Sequence, residues 1–215
     1  MTMWQLSGWG LWLIIAIRFF PREFWPKLKS EPSYQHLVFS SILSLSILWS
    51  INAGIINGLN IHFLLLTTLV LSHGWRIAML LCVLISLALI VFQRIPLADA
   101  GLFALTTFII PGLFSYLLFL ASYRYLTRHL FVYIFIAGFI GAALTIALHM
   151  LLVSLWFYAE GRFTWDIIYD NYLRLSILTW FPEALLNGSA ITLMAIYKPH
   201  WLRTFYDREY LSPER

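Results

Sequence analysis

Between Trp4 and Tyr197 the chain is a succession of apolar windows with only brief charged interruptions. About 20 apolar residues cross about 30 Å of hydrocarbon as a helix. Within lipid a backbone satisfies its own hydrogen bonds only as a helix or a closed barrel. The windows have helical length and number seven: about 4–20, 37–57, 59–73, 76–92, 102–125, 131–158 and 176–197. They predict an all-α membrane protein, a single integral membrane domain over 1–215 built as a bundle of seven transmembrane helices. The third window holds about 15 residues and so reaches only about 22 Å, which predicts a short, tilted or incomplete span. Pro111 and Gly112 predict a kink in the fifth. The first window lacks a basic leader and a small-residue cleavage site, so it reads as a helix rather than a signal peptide.

Composition agrees with this. With 61% hydrophobic and 11% charged residues and a mean hydropathy of +0.80, the chain cannot cover a soluble globule with charge. A cytosolic enzyme, a nucleic-acid binder and a disordered chain are excluded. The lone cysteine, Cys82, excludes an internal disulfide and a dithiol redox centre. There is no phosphate-cradling glycine loop with lysine, no His-Glu-x-x-His pair and no nucleophile elbow. The expectation is a non-enzyme with no ATPase of its own, and no internal repeat points to an inverted-repeat carrier.

Charge placement orients the bundle. With the N-terminus outside and the C-terminus cytoplasmic, only Arg94, Arg162 and Arg174 of the 14 Lys and Arg fall outside, as the positive-inside rule requires. The outer segment before the last helix carries Glu160, Asp166 and Asp170 among Trp165 and Tyr169, and reads as an interfacial amphipathic cap.

Ionisable groups at membrane depth cost about 2.5–3.5 kcal/mol each on insertion scales, so each calls for a role. Glu183 follows Pro182 and shares a helix face with Asn187. It is either a carboxylate lining a substrate or ion site or a hydrogen-bonded lock between two helices. His62 follows a cluster of Asn52, Asn57, Gly58 and Asn60 and is either a transition-metal ligand or a satisfied structural imidazole. His73 reads as a helix-terminal residue at the inner boundary. His149 either bonds across helices or lines the cavity, the first being favoured. Met1 and Met3 offer soft sulfurs near the outer face. The run Ala137, Gly138, Gly141, Ala142, Ala143 and Ala147 predicts close helix packing.

Three stretches resemble a known family: Gly58-Leu-Asn-Ile-His62-Phe-Leu-Leu with Gly74 twelve residues after the histidine, the small-residue run Leu130–Ala143, and Phe181-Pro-Glu-Ala-Leu-Leu-Asn-Gly188. The chain is similar to the substrate-capturing membrane component of energy-coupling factor transporters, in their cobalt/nickel permease group. The resemblance implies uptake of a divalent transition-metal ion across the bacterial inner membrane. That ion is the substrate, and no cofactor is held permanently. It implies partnership with a membrane coupling subunit and two ATPase subunits, and no nucleic acid. It places His62 and the N-terminus, Met1, at the metal, with Glu183, Asn187, Asn57 and Asn60 around the substrate. The family carries a histidine directly after its initiator, where this chain has Thr2, so the chain looks like a divergent branch. The alternative is a non-transporting membrane sensor or assembly protein that uses the same fold to bind an organic ligand.

Overall fold

The computed structural model describes residues 1–56 and 58–210, and they are helical apart from their connections and one isolated bridge between Ala53 and Ile61. In chain order the helices are α1 (Met3–Arg18), α2 (Phe24–Ser30), α3 (Pro32–Ser50), α4 (Leu66–His73) and α5 (Trp75–Val91). There follow α6 (Leu97–Tyr125), α7 (Leu130–Ala159), α8 (Trp165–Ile168, continued by a π turn Tyr169–Leu173), α9 (Ser176–Tyr197) and α10 (Asp207–Tyr210). By length and composition, α6 and α7 are long and apolar enough to cross a membrane, while α5 is apolar but shorter.

The second and third windows differ from expectation. The segment expected as helix over 37–57 starts at Pro32, whose fixed φ and missing N–H suit the first helical position, and stops at Ser50. The segment expected over 59–73 is helical only from Leu66. Between them Asn52, Gly54, Gly58 and Asn60 favour turns over helix. Gly58 sits at φ 96°, a conformation that costs glycine little and other residues much. The bridge Ala53–Ile61 (N···O 2.9 and 2.7 Å) closes this loop on itself, and buried Leu59 and Leu64 fasten it to the core. Between the first and second windows the chain also forms α2, with Phe24 buried.

Short as it is, α4 is the hub. All eight of its residues are buried, and it touches α5, α6, α7 and α9. Around it α7 packs on α9, where Gly138 meets Ile191 and Gly188 meets Phe139; the small-residue run serves packing within the chain. At a second crossing, a Cβ on Gly101 would stand 2.4 Å from the Trp9 nitrogen, and one on Gly8 would stand 2.7 Å from Leu102 Cγ. Only glycine at both positions lets α1 lie backbone to backbone on the start of α6.

Polar groups collect at the two ends of α1, whose 16 residues span about 24 Å. At its start Thr2, Gln5, Asp99, Glu160 and Arg162 form one network. At its finish Arg76 donates to the carbonyls of Phe19 and Phe20 and, with Arg203, faces Glu23.

Candidate functional site

The loop between α3 and α4 reaches into the bundle and presents His62. Its backbone there is held by α9. One oxygen of the Glu183 carboxylate accepts the Leu64 N–H (2.9 Å), and the other accepts the Leu65 N–H (2.7 Å) and the Asn187 Nδ2–H (2.8 Å). One turn along, Asn187 Oδ1 accepts from the Thr68 backbone N–H and hydroxyl, both at 2.9 Å. The Thr68 N–H is an orphan donor of the first turn of α4, and the Leu64 and Leu65 N–H groups belong to the loop entering it; a carboxylate there also suits the helix dipole. Leu65, at φ 49°, makes the left-handed step into the helix. Trp49 Nε1 donates to the Leu64 carbonyl (3.0 Å), closing the other side of the loop.

Above this anchor lies a cavity of about 270 Å³ whose wall includes Asn52, Asn60, His62, Thr107, His149 and Arg162. His62 is half-buried, and its ring packs beside Trp49 at 5.9 Å and in a T-shape on His149 at 5.6 Å between centroids. Its Nε2 is shielded from solvent and has no hydrogen-bond partner among the described residues, and the Thr107 hydroxyl is in the same condition. A buried polar atom without a partner is costly, and two such atoms belong to residues that line this one cavity.

Arg162 stands in the cavity's wall. Its guanidinium makes a two-pronged contact with Asp99 (2.6 and 3.0 Å) and reaches Glu160 at 2.6 Å. It also lies over the rings of Trp156 and Phe157. Burial works against the arginine's charge, but Asp99 and Glu160 outweigh it and raise the Arg162 pKa above the ordinary guanidinium value. Both carboxylates are additionally tied to the N-terminal turn, Gln5 donating to Asp99 (2.8 Å) and Thr2 to Glu160 (2.8 Å). Tyr172, buried on α8, completes the wall.

The residues expected at the site are thus sorted. His62 and Asn60 line the cavity. Glu183 and Asn187 do not, and their polar atoms are spent on holding the loop that carries His62. Met1 is 68% exposed and outside the lining, because Thr2 caps α1 through Gln5 and holds the terminus against Glu160. Met3 is exposed as well. Asn57 lies outside the described residues. His73 is buried between Tyr34 and Ser41 in the core. His149, favoured from sequence as a cross-helix bond, both donates to α6 and faces the cavity. Asp99, Thr107 and Arg162 carried no signal in the sequence beyond their residue type.

As a ligand set, imidazole nitrogens with amide, hydroxyl and water oxygens fit a borderline divalent ion of the cobalt, nickel, copper or zinc series. Neutral donors hold such an ion less tightly than thiolates or several carboxylates. Among the described residues no group of three His, Cys, Asp or Glu gathers into a metal cluster.

The family model of the cobalt uptake substrate-specific transmembrane region, CbiM, matches residues 2–201. No curated protein and no solved structure matches the chain.

Proposed function

The chain belongs to the family of cobalt uptake substrate-specific transmembrane regions, and from that premise we propose that it is the metal-capturing membrane component of an energy-coupling factor transporter. The ion enters at the face where α1 begins, passes Arg162 and is bound on His62 with Asn60 and the Thr107 hydroxyl beside it. The loaded component then docks on a membrane coupling subunit driven by two ATPase subunits, and ATP hydrolysis there drives inward release. Seven membrane-crossing segments, with the N-terminus outside and the C-terminus cytoplasmic, belong to this reading. It is supported by the surplus of Lys and Arg at the opposite end. A bacterial inner membrane is the expected location, and cobalt or nickel the expected substrate.

The observation that carries the reading is His62 Nε2. This buried nitrogen has no partner among the described residues and belongs to a residue that stands on the glycine-dependent loop and lines a cavity of about 270 Å³. The test is elemental analysis of detergent-purified protein after supplementation with cobalt, nickel, zinc and copper, beside a His62→Ala control. Near-stoichiometric retention of one metal, lost in the control, is expected. Retention of none would overturn capture of a metal ion and leave the sensor for an organic ligand as the better account.

A further inference from the structure

We infer that His149 is the second imidazole of the metal site, so that the substrate ion is gripped between the α3–α4 loop and α7. This deepens the capture reading and rests on it.

The first argument is the backbone of α6. Leu105–Ile109 form a π turn, in which the Ile110 N–H bonds to the Leu105 carbonyl. The Thr106 carbonyl therefore loses the donor it would have in an α-helix. The next donor in π register would be residue 111, which is proline and has no N–H. Thr106 is left with an unpaired carbonyl in the core, and His149 Nδ1 fills the gap at 3.1 Å. A carbonyl only accepts, so Nδ1 carries the proton and the neutral ring keeps its lone pair on Nε2. Metal-binding histidines have this arrangement, with the far N–H donated to a backbone carbonyl and the near nitrogen free for the ion. Among the described residues no hydrogen bond engages His149 Nε2. The residue is 3% exposed and borders the cavity.

The second argument is the distance to His62. With metal–nitrogen bonds of about 2.0 Å, two imidazoles on one ion have centroids about 4.5 Å apart at a right angle and about 6.3 Å apart when opposed. The observed 5.6 Å, with the rings inclined at 69°, lies inside that interval. The remaining positions are open to Asn60, the Thr107 hydroxyl and water.

The test separates a ligand from a clamp. In His149→Asn the side-chain amide can take over the Nδ1 bond to Thr106 while Nε2 is removed. Full-length protein in nanodiscs would be titrated with Co²⁺ alone, and its Cu²⁺ adduct read by electron paramagnetic resonance, whose nitrogen couplings count bound imidazoles. The expected result is two imidazoles in the wild type, one in His149→Asn, and Co²⁺ binding weakened at least about 100-fold with little change in Tm. If His62→Ala abolishes binding while His149→Asn keeps the wild-type affinity and spectrum, the inference falls and metal capture stands. A single imidazole in the wild-type spectrum overturns it without any variant, which covers the case in which His149→Asn does not fold. If the wild type binds neither ion, capture itself fails and this inference with it.

Discussion

At the residue scale the decisive group is Glu183, which the sequence leaves open between a site carboxylate and a lock between two helices. A carboxylate beside a proline in an apolar helix has the look of a ligand, yet both its oxygens are committed to Leu64, Leu65 and Asn187. On the proposed reading it serves the ion by fixing the loop two and three residues beyond His62. Glu183→Gln should therefore first cost stability. The amide keeps one oxygen and turns an NH₂ toward donors, leaving at least one buried backbone N–H unpaired at about 1–3 kcal/mol. We expect a Tm several degrees lower in detergent, with a metal affinity that falls modestly and recovers at lower temperature. A full loss of binding at unchanged Tm would make the carboxylate a ligand instead. The sequence showed that Glu183 and Asn187 share a face. It could not show which backbone they meet, since Leu64 and Leu65 lie more than a hundred residues away and offer only main-chain groups, which every residue carries.

At the element scale the helix register matters more than helix length. Pro111 marked a kink in the sequence, and the structure expresses it as a π turn just before the proline. A π turn is invisible to apolar periodicity because it shifts the pattern by a single residue. Its consequence, a freed Thr106 carbonyl, is what orients His149. Pro111→Ala restores a backbone N–H and allows the α register to close, giving Thr106 a donor of its own. The expected outcome is a fold at least as stable, since a helix-breaking residue is removed, with metal affinity weaker by about 10-fold or more because His149 loses its anchor. Thermal unfolding and Co²⁺ titration of the same preparation would check both halves, and unchanged affinity would show that the π turn plays no part in orienting the ring. The short α4 is the other element the windows missed. Hydropathy counts Leu59–Leu64 as membrane helix because the residues are apolar, whereas the asparagines and glycines before them force the backbone into a loop. That loop is tolerable only because Glu183, Asn187 and Trp49 satisfy part of it inside the protein. The contact of Gly8 with Gly101 was equally illegible, since single glycines in two separate windows gain meaning only once the helices cross.

At the scale of the whole molecule the two polar ends of α1 define an axis, and the sign of that axis in the membrane decides whether the cavity meets the ion supply. One end holds a compact network in which Arg162 is balanced by Asp99 and Glu160, and it is the end onto which the His62 cavity opens. The other gathers three arginines, Arg76, Arg203 and Arg128, around two carboxylates, Glu23 and Glu209. On the proposed reading an uptake component binds outside, which makes the network the outer end and the arginine-rich end the cytoplasmic one, in agreement with the positive-inside rule. The chain is convenient for testing this because its single thiol, Cys82, is wholly buried and should stay silent toward a membrane-impermeant maleimide. Met3→Cys, at a position 83% exposed, is expected to label in intact cells. Arg208→Cys, at the exposed far end, is expected to label only after the membrane is opened. Opposite sidedness of the two termini requires an odd number of crossings. Labelling of both positions from outside would break the seven-span arrangement, and labelling of Arg208→Cys alone would invert it and turn the His62 cavity away from the ions it is proposed to capture.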